Sequence, residues 1–183
     1  DNGGALFTLN TSVEITDCTI ANNVASLNGA AYHAGNFAGY YNTHVVQNES
    51  GARIFHSDNN VFDFDHVTMV DNIIPANPEI RHNNGGMAWA WNCCFSRNTP
   101  FEGEVDVQNN HYGTDHGLAP FDDYGGSTMT RVVLPGSPLI GAGGESFLIT
   151  DQLGQPRADP STIGAVEYGM NYFPPLWPIK LDE

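Results

Sequence analysis

Arg53-Ile54-Phe55-His56, Val61-Phe62-Asp63-Phe64 and Met69-Val70-Asp71-Asn72 follow one another between Asn48 and Asn72, and the flanking sequence repeats their order. The closing element is an apolar residue, two variable residues and Asn. It recurs as Ile20-Ala21-Asn22-Asn23, Val45-Val46-Gln47-Asn48 and Phe95-Ser96-Arg97-Asn98. Asn23, Asn48, Asn72 and Asn98 therefore stand 25, 24 and 26 residues apart. The opening element recurs as Gly4-Ala5-Leu6-Phe7-Thr8, Gly29-Ala30-Ala31-Tyr32-His33, Gly51-Ala52-Arg53-Ile54-Phe55-His56 and Glu79-Ile80-Arg81-His82. It ends 15, 15, 16 and 16 residues before its asparagine. A period of this length marks a stacked repeat.

The segments between these marks are short, rich in Val, Ile, Thr, Phe and Tyr, and alternate as in Ser12-Val13-Glu14-Ile15-Thr16. That is the period of a strand, not of a helix. Strands of four or five residues cannot close a sheet within one repeat. They can if each repeat is a coil stacked about 4.8 Å from the next. The sequence thus predicts an all-β chain: a right-handed parallel β-helix of about four to five coils of 24–26 residues over 1–112. An irregular C-terminal cap is expected over 113–169, where Gly and Pro become dense, and a Pro- and aromatic-rich tail over 170–183. Ile20, Val45, Met69 and Phe95 should form one core column. Asn23, Asn48, Asn72 and Asn98 should form a structural ladder at the coil corners, because Asn tolerates left-handed backbone and its amides can bond from coil to coil.

The chain carries 21 acidic against 6 basic residues, a net charge of −15, with Lys180 its one lysine. Such a surface repels phosphate backbones and anionic lipid, so neither a nucleic-acid partner nor membrane insertion is expected. It keeps a protein soluble, reflects salt adaptation, or attracts Ca²⁺, the one cofactor the composition suggests. No apolar run approaches the roughly 20 residues of a membrane helix. The cysteines Cys18, Cys93 and Cys94 are odd in number and lack framework spacing, so buried thiols are expected. Asp1-Asn2-Gly3-Gly4 reads as the middle of a repeat, which implies an upstream region.

Gly3-Gly4-Ala5-Leu6 and Phe95-Ser96-Arg97-Asn98 resemble the Gly-Gly-Ala-(Ile/Leu/Val) and Phe-x-x-Asn repeats of polymorphic outer-membrane proteins. Leu134-Pro135-Gly136-Ser137-Pro138-Leu139-Ile140-Gly141-Ala142-Gly143, Thr150-Asp151-Gln152-Leu153-Gly154-Gln155-Pro156-Arg157 and Ile163-Gly164-Ala165-Val166-Glu167 are similar to the closing segments of bacterial choice-of-anchor Q proteins. These are pectate-lyase-like parallel β-helix repeat proteins. The resemblance is close over residues 100–169 and loose before. It implies a secreted or cell-surface bacterial protein and no particular activity. Gly141 stands where that family usually has Asp, and no sorting signal follows Tyr168.

Four sets of residues are candidates for function. His33, His56 and His82 occupy the same place in three opening elements, so they form either a packed ladder or a metal-binding column; His44 and His66 lie off it. Asp63 and Asp65 are two apart on a strand and share a face, as the carboxylates of a polysaccharide-cleaving enzyme would. Only Arg53, Arg81 and Arg97 lie on the coils to serve uronate chemistry, and Asp122-Asp123 reads as a turn or a weak Ca²⁺ site. Trp89 and Trp91 alternate with Ala88 and Ala90, making a sugar-stacking platform if outward and core if inward, with Tyr40 and Tyr41 at similar offsets. Tyr172, Phe173 and Trp177, among three nearby prolines, are candidate assembly contacts. The reading that follows is a non-catalytic extracellular structural or adhesive module, assembling with an upstream region or other subunits. The alternatives are a carbohydrate-binding or polysaccharide-cleaving β-helix, and an accessory subunit of an extracytoplasmic complex.

Overall fold

Each coil reverses direction at residues that take left-handed backbone, and between them the chain is extended. The computed structural model describes residues 4–75, 78–83 and 85–169, and among these it is all-β with no helix. It is a parallel β-solenoid. The first face stacks β1 (Leu6–Leu9) and β2 (Val13–Thr16), then β5 (Asn28–Tyr41), β8 (Arg53–Asp65), β10 (Ile80–Asn83) with β11 (Met87–Trp91), and β13 (Phe101–Glu102) with β14 (Glu104–Gln108). The second face stacks β3 (Thr19–Ala21), β6 (His44–Val46), β9 (Thr68–Val70), β12 (Cys94–Phe95) and β15 (His111–Tyr112). The third is short: β4 (Val24–Ala25) on β7 (Glu49–Ser50), then a bridge from Glu49 to Ile73. Three turns thus carry all three faces, and the later rungs carry only two, so complete turns are slightly fewer than the repeat count suggests.

The inward columns follow from the register. Ile20, Val45, Met69 and Phe95 align, as the sequence predicts. On the first face Ala38 aligns with Phe62 and Ala88, and Tyr40 with Phe64 and Ala90. Small residues in one coil make room for rings in the next. Tyr40, Phe55, Phe62 and Phe64 are fully buried and meet at centroid distances of 4.8 to 5.9 Å. Gly29 sits where the register slips by one residue, and a Cβ there would run into the Ile54 carbonyl. Cys93 faces this core, whereas Cys94 belongs to a second apolar cluster; both thiols are free and buried.

The asparagine ladder has three members. Asn48 Oδ1 accepts from the backbone N and Nδ2 of Asn23 at 3.1 and 3.0 Å, and Asn72 Oδ1 accepts from the same atoms of Asn48 at 3.0 and 3.1 Å. Asn98, at the corresponding corner of the next coil, is exposed. The left-handed residues are not the ladder asparagines but their predecessors Asn22, Gln47 and Asp71. A second left-handed column, Asp17, Asn42, His66, Asn92 and Asn109, turns the chain from the first face to the second. Asn48→Ala removes the central acceptor and donor of the ladder, and it is expected to lower the unfolding free energy by about 3 kcal/mol. Urea denaturation checks this; a loss below about 1 kcal/mol would mean that water replaces the ladder.

Residues 113–169 were expected to cap the end of the helix. Instead they lie along its flank. Ala21, Val46, Val70 and Cys94 point outward from the second face, and Leu118, Val133, Leu139 and Ile163 cover them. Backbone and side-chain bonds tie this segment to four successive coils: Thr19 to Met129, Asn42 to Thr150, Thr68 to Ala165 and Asn92 to Gly144. An apolar outer face leaves a sheet no alternative to being covered. The tail residues Tyr172, Phe173 and Trp177 lie outside the described residues.

Candidate functional site

Two outward columns of the first face carry the candidate chemistry. One reads Glu14, Gly39, Asp63, Trp89, Asp106 and the other Thr16, Tyr41, Asp65, Trp91, Gln108. Because Ala88 and Ala90 are fully buried, Trp89 and Trp91 point outward, and both are partly exposed. Two residues apart on one strand, their Cα atoms are about 7 Å from each other. Tyr41 shares the column of Trp91, with Asp65 between them, while Tyr40 belongs to the core. The Tyr41 ring lies over Gly39, donates from its hydroxyl to Asp63 Oδ2 at 2.9 Å, and meets Phe147 edge to face at 5.2 Å.

The two aspartates share a face but not an environment. Asp63 is half-buried, and burial pushes its carboxyl up despite the Tyr41 hydroxyl. Asp65 is 1 % exposed. Burial alone would raise it too, but bonds from His66, Ser146 and Asn92 outweigh that and hold it below its ordinary value. It accepts from His66 Nδ1 at 2.8 Å, Asn92 Nδ2 at 3.0 Å and Ser146 Oγ at 2.6 Å. The pair therefore does not face a common substrate. Asp65 anchors the C-terminal segment to the solenoid corner.

The histidines do not form one column. Thr8, His33, Ser57 and His82 align and point inward, whereas His56 lies one position earlier, between Tyr32 and Arg81. Backbone register sets the column: at His33 it pairs residues 24 apart, whereas His33 and His56 are 23 apart. His33 is held between the Thr8 hydroxyl at 2.6 Å and the Tyr40 hydroxyl at 2.5 Å, and His82 Nδ1 bonds to the Gly86 carbonyl at 2.9 Å. Among the described residues no group of three or more His, Cys, Asp or Glu is arranged to hold a metal ion. Arg53 and Arg81 both reach Glu102, at 2.8 and 3.7 Å, and Arg97 lies 3.7 Å from the buried Glu79. Asp122 pairs with Thr130 across a short bridge and caps the Asp123 amide, as a turn residue does.

A second constellation escaped the sequence reading. His66 Nε2 lies 3.0 Å from Ser161 Oγ, while its Nδ1 faces Asp65. Ser161 comes from the C-terminal segment, 95 residues away, and lines a cavity of about 430 Å³ with Ser146, Leu148, Ile149 and Arg157. The side chain of Arg157 is 4 % exposed, pairs with Glu167 at 3.6 Å and donates to Asn42 Oδ1 at 2.6 Å, yet its Nε has no hydrogen-bond partner. Adjacent Asp65-His66 was the only trace of this cluster in the sequence. Comparison with known protein families, with characterised proteins and with solved structures finds no match.

Proposed function

We propose that this chain is an extracellular structural and adhesive β-solenoid of the choice-of-anchor Q type, whose binding face is the Trp89/Trp91 strand and whose ligand is a glycan. The observation that carries the reading is the pair of outward, partly exposed indoles on a rigid sheet, flanked by the carboxylates of Asp63 and Asp106. Flat apolar rings beside polar acceptors suit the faces and hydroxyls of a sugar chain. The two outward columns contain no Lys or Arg. A surface of this charge favours neutral or cationic glycans over polyuronates. Polysaccharide cleavage on this face lacks support, because Asp65 is sealed beneath Ser146 and leaves Asp63 without an accessible partner. The terminal rungs carry half-exposed Phe7, Leu9 and Val107, which suits assembly with another protein.

Affinity electrophoresis and calorimetry against neutral, amino-sugar and uronate polysaccharides test the reading. Binding to a neutral or amino-sugar polymer is expected, with Trp89→Ala and Trp91→Ala each weakening it about tenfold. Unchanged affinity in both variants would remove the platform. Binding confined to polyuronate would keep the adhesive role but refute the charge argument.

A further inference from the structure

The seam between the solenoid corner and the C-terminal segment goes beyond binding. We propose that Ser161, His66 and Asp65 form a nucleophilic triad that hydrolyses esters of small carboxylic acids in the adjoining cavity.

The geometry has the three parts that such chemistry needs. Asp65 is an acceptor held in place by Asn92 and Ser146. An ionised carboxylate can only accept, so the proton shared at 2.8 Å belongs to His66 Nδ1. The other ring nitrogen, Nε2, is then the acceptor for the Ser161 hydroxyl at 3.0 Å. Burial lowers the His66 pKa, against the opposing pull of Asp65. The backbone supports this arrangement. His66 takes φ +54° at the corner, which turns its ring away from the first face toward the flanking segment. Gly143 passes close to Ser161, and a Cβ there would collide with Oγ. The cavity supplies the rest: Leu148, Ile149 and Ala158 give it apolar walls for a short acyl group, and Arg157 lines it beside Ser161 as a buried cation.

The reaction balances with water as the second reactant. Ser161 Oγ bonds to the ester carbonyl carbon as its proton passes to His66 Nε2. The bond from that carbon to the alkoxy oxygen breaks, and His66 returns the proton to the departing alcohol. Water, deprotonated by His66, then attacks the acyl-serine, releasing the carboxylic acid and restoring the Ser161 hydroxyl. The aspartate stays ionised throughout. The seam belongs to different residues from the indole platform, so either can fail without the other.

Two measurements on the intact chain decide the matter: labelling by a fluorophosphonate followed by peptide mapping, and hydrolysis of p-nitrophenyl acetate. The expected result is a covalent adduct on Ser161 and an esterase rate that falls about 100-fold in Ser161→Ala. His66→Asn keeps a residue that accepts the left-handed corner and removes the base, so it should abolish labelling while Ser161 is still present. Thermal unfolding of Ser161→Ala, which loses one hydroxyl, confirms that the comparison is between folded proteins. An unlabelled Ser161 in the folded wild-type chain, or hydrolysis unchanged in Ser161→Ala, would overturn the proposal and leave the cluster as a structural clasp.

Discussion

Asp65→Ala is expected to lower the unfolding free energy by about 4 kcal/mol, the cost of removing one partner from a buried charged network. Three donors converge on this carboxylate: His66, Asn92 and Ser146. Two lie on the solenoid corner and one on the covering segment, so the carboxylate joins them. Alanine removes the acceptor of the His66 Nδ1 proton and the main acceptor of Asn92 in a place that water does not reach, since Asp65 is 1 % exposed and His66 and Asn92 are fully buried, while Ser146 can turn to the cavity. For a chain of this size the loss corresponds to a fall in melting temperature of about 10 °C. The segment beside Ser146 should also loosen first, because its other ties to the solenoid there are few: Gly144 and Glu145 to Asn92, Phe147 to the Tyr41 ring and Thr150 to Asn42. Limited proteolysis should therefore cut near residues 143–150 in the variant before the solenoid unfolds. A loss below about 1 kcal/mol, with no new cleavage, would mean that the segment is held by its apolar contacts alone.

The solenoid was legible because stacking makes each coil resemble the next: the column Ile20, Val45, Met69 and Phe95 could be written down from spacing. The histidine column could not. Matching the ends of the opening elements places His56 with His33 and His82, but His33 and His56 are 23 residues apart and the register there pairs residues 24 apart, so Ser57 stands in the column instead. A shift of one residue reverses the facing of a side chain, so His56 belongs to the outward row, although its surroundings still bury it. The flanking position of residues 113–169 did leave a signal. Val45-Val46, Met69-Val70 and Cys94-Phe95 are consecutive apolar pairs, and a strand with one wet face would alternate. Both sides of that face are buried, by the core and by the covering segment. The Asp65, His66 and Ser161 cluster depends on how that segment lies against the corner, and no local pattern encodes a contact across 95 residues.

The stability of this chain should pass through opposing titrations between pH 7 and pH 4, and Glu79→Gln should separate them. Burial lowers His33 and His44 from 6.5 to about 4. An unfolded chain takes up those protons near pH 6.5 and the folded chain refuses them until about pH 4. Their contribution is complete above pH 6.5 and is lost as the pH falls toward 4, at about 1.4 kcal/mol per pH unit for each proton, or about 3 kcal/mol each. Glu79 works in the other direction. Burial raises its carboxyl from 4.5 to about 7, against the nearby Arg97 and Asn72. Its neutral form fits the fold, so its contribution is complete below pH 4.5 and is lost as the pH rises through 7. Acidification therefore costs the histidine terms, to which the lowered His66 and His82 also belong, and recovers the glutamate term. Glutamine keeps the size of Glu79 and carries no charge at any pH. The variant is expected to be more stable than the parent by about 3 kcal/mol at pH 8 and equal to it near pH 4, so its acid loss is larger by that difference. Urea denaturation at a series of pH values reads this directly. Equal stability of the two proteins at pH 8 would mean that the Arg97 guanidinium, 3.7 Å from the Glu79 carboxylate, compensates the buried charge in full.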